Sequence, residues 1–237
     1  GTLTIPVTLA AGQSSTFLES SATGIKLEKH LVIIPMNDTD NDTTAVIEAR
    51  VTEVVGKGET AEAQVEEIKL KTAEQMVDFS SDDADVGTTG ASLDVDLTGM
   101  PSDASISMKI TKEPEDVAMS AFTMAAKDVN TTIKDIAFSI KVTKENLDQV
   151  VTEARVTMKV SGVWVDKHGV ANVRVLRFSD TGEREILVTN IVGRDSFGNF
   201  IFEGISPRGL SVFSLVALEA PPPTPMPTAT HMPTPIP

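Results

Sequence analysis

Cysteine and tyrosine are absent from this 237-residue sequence, and tryptophan occurs once. Without cysteine the chain has no disulfide framework, no thiolate metal ligand and no cysteine nucleophile. No run of about 18 apolar residues occurs, so we predict no membrane-spanning helix. The formal charge of −14 excludes nucleic acid from the expected partners, because an acidic surface is repelled by a phosphate backbone.

Enzyme signatures are also missing. The three histidines, His30, His168 and His231, lie in unrelated contexts, and no glycine-flanked serine, phosphate loop or dinucleotide fingerprint occurs. Acid pairs such as Asp94 and Asp96 are frequent, but a chain with 34 acidic residues contains them without any catalytic role. We therefore predict that the protein is not an enzyme.

The residues that are present favour β-structure, because Val, Ile and Thr suit pleated strands. Leu3, Ile5, Val7 and Leu9 alternate with polar residues or proline, which predicts a half-buried strand over residues 2–9. The same criteria predict strands at residues 31–36, 45–55, 63–70, 92–97, 105–110, 133–142, 154–160, 170–178, 185–191, 199–203 and 210–218.

One helix is predicted from about residue 114 to residue 129, since Pro114 suits a first helical turn. We therefore predict an all-β protein with two Ig-like β-sandwich modules, an acidic one at residues 1–112 and a second at residues 130–219. A helical connector at residues 113–129 would join them. A single long sandwich with an inserted helix is the alternative.

Residues 220–237 contain eight of the 13 prolines and no formal charge. Such a segment does not fold onto a core and adopts an extended polyproline II form. At roughly 3.1 Å per residue it would reach on the order of 50 Å. We predict a Pro/Thr-rich stalk that carries the domain away from a surface.

The N-terminal half carries most of the negative charge. Residues 1–112 contain 19 acidic and 8 basic residues, a net charge of −11. Within this half Asp38, Asp40 and Asp42 alternate in a predicted turn, a pattern that offers oxygen ligands to a hard cation. We predict a calcium site there. An ordinary solvated hairpin is the alternative, because the segment lacks the glycine and the distant glutamate of an EF-hand loop.

Three Asn-x-Thr sequons, at Asn37, Asn41 and Asn130, predict exposed glycosylation sites if the chain is secreted. A glycan on Asn41 would crowd a metal bound between Asp40 and Asp42, so these two hypotheses compete. Trp164 precedes a predicted turn at residues 166–169. We interpret it as a buried plug, with a sugar-stacking platform as the alternative.

The second half resembles a known family. Its motifs run in the order DIAFSIKVTKENL (residues 135–147), VRVLRFSD (173–180), EILVTNIV (185–192), GNFIFE (198–203) and SPRGLSVFSLV (206–216). This order is similar to the PGF-pre-PGF domain of archaeal cell-surface proteins, over about residues 130–218. The resemblance implies an extracellular archaeal envelope protein with a Thr/Pro stalk and a C-terminal anchoring region. It implies no catalytic residues.

These observations predict a secreted, non-enzymatic structural subunit of a filament, sheath or surface layer. Its partners would be copies of itself, joined through the terminal strand by Leu3, Ile5, Val7 and Leu9, with the C-terminal tail as an anchoring segment. Ordinary pairing of that strand within its own chain is the alternative for the strand. A stalked surface adhesin or ligand-binding module is the alternative function.

Overall fold

The computed structural model describes residues 3–7, 18–19, 26–28, 31–37, 43–55, 61–99, 104–207 and 209–219. The strands are β1 (Leu3–Val7), β2 (Leu18–Glu19), β3 (Lys26–Glu28), β4 (Leu31–Asn37), β5 (Thr43–Val55), β6 (Ala61–Thr72), β7 (Gln75–Asp78), β8 (Thr88–Leu97), β9 (Ser105–Thr111), β10 (Ile133–Glu145), β11 (Val151–Val160), β12 (Val173–Phe178), β13 (Arg184–Ile186), β14 (Val188–Arg194), β15 (Phe200–Ser206) and β16 (Val212–Leu218). The helices are α1 (Asp116–Asp128), α2 (Gly162–His168) and a short 3-10 helix, Val170–Asn172.

The strands form two antiparallel sheets, so the predicted all-β class is confirmed. Sheet A has the order β14-β15-β11-β8-β6-β5-β4-β3-β2, with β1 beside β6 and β7 beside β8. Sheet B has the order β13-β12-β16-β10-β9. The predicted segment 185–191 is divided between the sheets, since β13 belongs to sheet B and β14 to sheet A.

Alternating burial along the strands builds the core between the sheets. In β8, Leu93 and Val95 are buried, whereas Asp94 and Asp96 lie on the outer face. Sheet B supplies Phe138 and other apolar residues to the same buried cluster. Each sheet therefore covers the apolar face of the other, which is the main source of stability for such a sandwich.

One sandwich, rather than two separate modules, contains both halves of the chain. β8 pairs with β11, from Leu97 opposite Val151 to Gly90 opposite Lys159, and β9 pairs with β10. The buried cluster likewise includes residues from both halves. Pairing and packing thus run across the predicted boundary at residues 113–129, and the division of the chain into domains stays a prediction.

Helix α1, Asp116–Asp128, matches the predicted helix. It lies between β9 and β10, which are neighbours in sheet B. Ala118 and Phe122 pack with Ile136, Leu176 and Val216, in a second buried cluster. The helix therefore forms a third layer on sheet B. None of the helices in the described part of the chain is long and apolar enough to span a bilayer.

Candidate functional site

The first strand of the chain occupies an edge that the rest of sheet A leaves open. β1 lies antiparallel to the beginning of β6, from Leu3 opposite Val65 to Val7 opposite Ala61. β5 pairs along the other edge of β6. β8 pairs only with the later part of β6, residues 68–71. β1 therefore fills the portion of the β6 edge that β8 does not reach.

This portion of sheet A extends beyond the end of β8. The β8 pairing with β6 ends at Ile68 opposite Leu97, whereas the β5 pairing continues to Glu62 opposite Val55. At about 3.3 Å per residue, the six further residues extend the β5–β6 hairpin by roughly 20 Å. β1 thus pairs with a part of sheet A that projects beyond β8. We call this part, residues 50–55 and 62–67, the β5–β6 arm.

Main-chain pairing holds β1 on the arm. Pro6 lies opposite Glu62 and has no N–H to donate, which suits an edge strand. Leu3, Ile5 and Val7, three of the four predicted contact residues, lie within β1. Leu9 lies outside the described residues. The structure shows the intrachain pairing, and exchange of β1 between copies stays a prediction.

The predicted calcium and glycosylation residues lie mostly outside the described part of the chain. Asp38, Asp40, Asn41 and Asp42 belong to the connection between β4 and β5, which form an antiparallel hairpin closed by Asn37 opposite Thr43. Among the residues that the structure describes, no three His, Asp or Glu side chains converge to hold a metal.

Asn130, the third predicted glycosylation residue, lies directly after α1. Its side chain is exposed, and its backbone adopts a φ of 57°. Its N–H donates to the carbonyl of Lys127 at 3.0 Å, which closes the last helical turn. Asparagine is one of the residues that tolerates this left-handed conformation. The sequon at Asn130 is therefore sterically accessible, and its glycosylation stays a prediction.

A buried polar cluster surrounds Asp135 of β10. Trp164 is fully buried and donates its Nε1–H to Asp135 Oδ2 at 3.1 Å. His168 Nε2 lies 2.9 Å from the same oxygen. The turn predicted at residues 166–169 is wrong for most of its length, because residues 162–168 form helix α2, which ends at Gly169. Ser161 caps this helix by accepting from the Val163 N–H.

A histidine beside a carboxylate supplies two of the three members of a hydrolytic triad, which a nucleophile would complete. In the described part of the chain, neither ring nitrogen of His168 has a hydroxyl hydrogen-bonded to it. The His168 ring instead lies 4.8 Å from the Trp164 ring and is buried. The contacts of Asp135 therefore hold α2 against β10, a positioning role.

A polar cavity of about 330 Å³ opens at the end of the sandwich where β8 ends and β11 begins. Arg177, which is 3 % exposed, and Lys144 contribute its basic groups. Arg177 Nη1 donates to Glu185 Oε1 at 2.8 Å, and Lys144 Nζ donates to Asp180 Oδ2 at 3.2 Å. Carboxylates within the chain thus already neutralise both basic groups.

The sequence interpretation missed this cavity. Arg177 stands two residues after Val175 and four after Val173, so strand alternation places all three on the inward face of β12. The position of Arg177 in register with buried valines could have indicated this site, because a buried charge requires a partner. Its carboxylate partners, Glu183 and Glu185, come from the adjacent hairpin of β12 and β13.

Ion pairs cover the outer face of sheet A. Lys71 Nζ lies 2.6 Å from Glu48 Oε2, and Lys69 Nζ lies 3.4 Å from Asp96 Oδ1. Burial alone would lower the pKa of Lys69, but the carboxylates of Asp94 and Asp96 outweigh it and raise that pKa above 10.5. Between β5 and β8, this face is therefore a solvated surface of paired charges.

Comparison of the chain with protein-family models, with curated proteins and with solved structures finds no match.

Proposed function

We propose that the protein is a non-enzymatic structural subunit of an extracellular, archaeal-type surface assembly, and that its copies join through their chain ends. The observation that carries this proposal is the pairing of β1 with the β5–β6 arm. A short strand that fills an otherwise open edge is a separable part of the sheet. The β1 strand of a second copy can fill the same edge with the same register.

Such an exchange is close to neutral in free energy. Intrachain and interchain β1 make the same main-chain hydrogen bonds, so exchange replaces one pairing with an equivalent one. Pairing through main-chain groups gives affinity, and the alternate apolar residues of β1 give specificity. Burial of Leu3, Ile5 and Val7 at about 1.5–3 kcal/mol each would contribute roughly 4.5–9 kcal/mol before ordering costs, in either form. This contribution slows the release of β1 once it is paired with a second copy.

The remaining features of the proposal follow from the sequence. The sandwich is immunoglobulin-like, as the pattern of short strands and turn residues predicts, and residues 220–237 form the Pro/Thr stalk through which the assembly is anchored. Calcium bound by Asp38, Asp40 and Asp42 would rigidify the β4–β5 connection, which follows the end of β4 and precedes the end of β5 that is far from the β5–β6 arm. Glycans on Asn37, Asn41 or Asn130 would face the exterior.

A ligand-binding module is the second candidate function, and the polar cavity favours it. Loops at one end of a β-sandwich are a common location for binding sites. Lys144 would receive a carboxylate or sulfate if the ligand displaced the exposed Asp148 and Asp180 side chains. An adhesin of this kind would act as a stalked monomer, so the state of assembly discriminates between the two functions.

Cysteine cross-linking tests the exchange of β1 directly. The native chain has no cysteine, so every disulfide is attributable to introduced residues. Thr4 lies opposite Gln64, and cross-strand neighbours lie within the Cα separation that a disulfide requires. We expect an oxidised mixture of Thr4→Cys and Gln64→Cys proteins to form disulfide-linked heterodimers. The double variant should form a ladder of covalent oligomers on non-reducing gels.

The matched control combines Thr4→Cys with Lys69→Cys, because Lys69 lies opposite Asp96 of β8 and away from β1. This mixture should not cross-link. Deletion of residues 1–10 should leave a folded, soluble protein that no longer forms the larger oligomers. A double variant that yields only internally cross-linked monomers, together with unchanged oligomers after the deletion, would refute the chain-end contact.

A further inference from the structure

Exposed apolar side chains are concentrated near one strand. Ten large apolar side chains are exposed among the described residues, and four of them lie within ten consecutive positions. These four are Val188, Ile191 and Val192, which are 52–66 % exposed, and Phe197, which is 88 % exposed. The first three belong to β14, and Phe197 lies in the turn between β14 and β15. Clustering of this kind marks an interaction surface.

β14 is the last strand at one edge of sheet A and pairs with β15 on its other side. At its beginning the free edge is partly covered by β12. The Leu187 N–H donates to the Val175 carbonyl at 2.9 Å, and the Val175 N–H donates to Thr189 Oγ1 at 2.9 Å. From Asn190 to Arg194, no strand in the described part of the chain pairs with that edge.

The usual protections of an edge strand are nearly absent from β14. Natural edges carry lysine, proline or inward-pointing charges that prevent pairing with another chain. The only charged residue of β14 is Arg194, whose guanidinium lies 3.7 Å over the Phe200 ring. A bulge between Ile191 and Gly193 is the one protective feature, and it leaves Ile191 and Val192 both exposed.

We propose that β14 is a second self-association site, where it pairs antiparallel with β14 of another copy about a two-fold axis near Ile191. The strand is self-complementary in that arrangement. Ile191 lies beside Ile191 of the second copy, and Arg194 lies beside Val188 of the second copy. No like charges meet along the paired strands, which is a requirement for an isologous contact.

Electrostatics select this edge for contact between copies. Two molecules that each carry −14 repel one another, and the outer face of sheet A presents carboxylates. The nine residues 186–194 contain one charged residue, a cation, and no acid. Copies therefore approach with least repulsion along this strand. A pair of strands buries less area than a standard interface, so the contact is weak by itself and adds to other contacts by avidity.

The β14 contact does not depend on the chain-end contact, but the two contacts together have a further consequence. A two-fold contact alone closes after two copies, whereas a second, different contact extends the assembly without limit. Chain-end exchange with β14 pairing would therefore generate a continuing structure from one kind of subunit.

Ile191→Lys tests the site, since a lysine at the axis places two like charges side by side. Val163→Lys is the matched control, because Val163 is 61 % exposed but lies on α2. Both variants are made in the chain that lacks residues 1–10. Sedimentation should show that Ile191→Lys lowers the mass of the particle about twofold, from dimer to monomer, and that Val163→Lys leaves it unchanged. Circular dichroism and the melting temperature should stay unchanged for both variants.

Ile191→Cys provides a second readout. Because the axis passes near residue 191, oxidation should produce a symmetric disulfide-linked dimer, and Val163→Cys should not produce one. Dimers that persist in Ile191→Lys, or a deletion protein that is monomeric at all concentrations, would overturn the inference. If only the chain-end contact is wrong, full-length and deletion proteins would form the same dimers, and Ile191→Lys would still be monomeric.

Discussion

Gly204 of β15 lies at a close approach between sheet A and sheet B. A Cβ atom at this position would lie 2.9 Å from the Cβ of Val175 in β12 and 3.1 Å from Val156 Cγ1. Val175 is fully buried and β-branched, so it has little freedom to move away. The absence of a side chain at Gly204 thus permits the contact between sheet A and sheet B.

Gly204→Ala should therefore destabilise the protein by about 1–3 kcal/mol through overpacking. Gly193→Ala on the neighbouring strand is the control, because nothing lies within 4 Å of a Cβ there and no positive φ is required. That change should be neutral or slightly stabilising, since alanine restricts the unfolded chain. Urea unfolding measures both, and equal effects would contradict the close-approach explanation.

Asp83 joins the turn between β7 and β8 to sheet B. Its Oδ2 lies 3.1 Å from Lys112 Nζ, which also donates to the Ile136 carbonyl at 2.6 Å. Burial alone would raise the pKa of Asp83, but Lys112 and the N–H groups of Val86 and Asp85 outweigh it and hold that pKa below 3.8. The ionised carboxylate therefore stabilises the fold above pH 3.8, and this contribution is lost as the pH falls through the lower folded-state pKa.

Asp83→Asn should lower the free energy of unfolding by about 1 kcal/mol at pH 7, as expected for one half-buried ion pair. The difference from the native protein should shrink as the pH falls below 3.8. Urea titrations at several pH values measure it. Asp82→Asn is the control, because Asp82 is exposed and forms none of the ion pairs found in the described residues. A difference that is constant with pH would show that the ion pair does not act through its charge.

At the scale of elements, α1 contributes through packing more than through helical propensity. Glu115 at its N-cap makes no capping hydrogen bond, and the helix has 13 residues, a length that is marginal for an isolated helix. Phe122 is fully buried against sheet B, whereas Val117 is 68 % exposed on the same helix.

Phe122→Ala should therefore cost about 3–5 kcal/mol, because it removes a buried aromatic ring and leaves a cavity. Val117→Ala should change stability by less than about 0.5 kcal/mol, since its side chain is already in water. Thermal unfolding of the two variants provides the comparison. A small effect of Phe122→Ala would mean that α1 is detached from sheet B in solution.

The sequence predicted most strands but not their pairing. Alternation of apolar residues predicted the bounds of β4, β5 and β9 to within two residues. Pro114 and the acidic residues after it predicted α1. β2, β3 and β7 were missed because they are two to four residues long, too short for a periodic signal. The pairing of β8 with β11 was missed because partners about 60 residues apart leave no local pattern.

In the candidate sites, too, local features were predicted from the sequence and long-range contacts were not. Burial of Trp164 followed from its apolar neighbours Val163 and Val165, but its hydrogen bond to Asp135 joins residues 29 positions apart. Self-association through Leu3, Ile5 and Val7 was proposed from alternation alone, whereas the open edge of β6 that receives them became visible only with β8 in place. The exposure of Ile191 was hidden because the segment 185–191 reads as one buried strand.

At the scale of the whole molecule, charge and apolar surface are separated. The outer face of sheet A holds ion pairs, whereas Arg194 is the only charged residue of β14. If both proposed contacts form, repulsion between copies that each carry −14 would confine association to the two strand edges. The separation would then favour a small set of defined contacts over general aggregation.

The position of β16 has a consequence for the order of folding during synthesis. β16 is the last strand in the described part of the chain, yet it lies in the middle of sheet B between β10 and β12. Until the ribosome has released residue 218, those two strands face each other across a gap one strand wide. The nascent chain therefore exposes unpaired main-chain groups of β10 and β12 until that point of translation, when chaperones have the most reason to bind it. β1 is synthesised long before β16, so the sandwich that β1 joins is completed only when β16 is inserted.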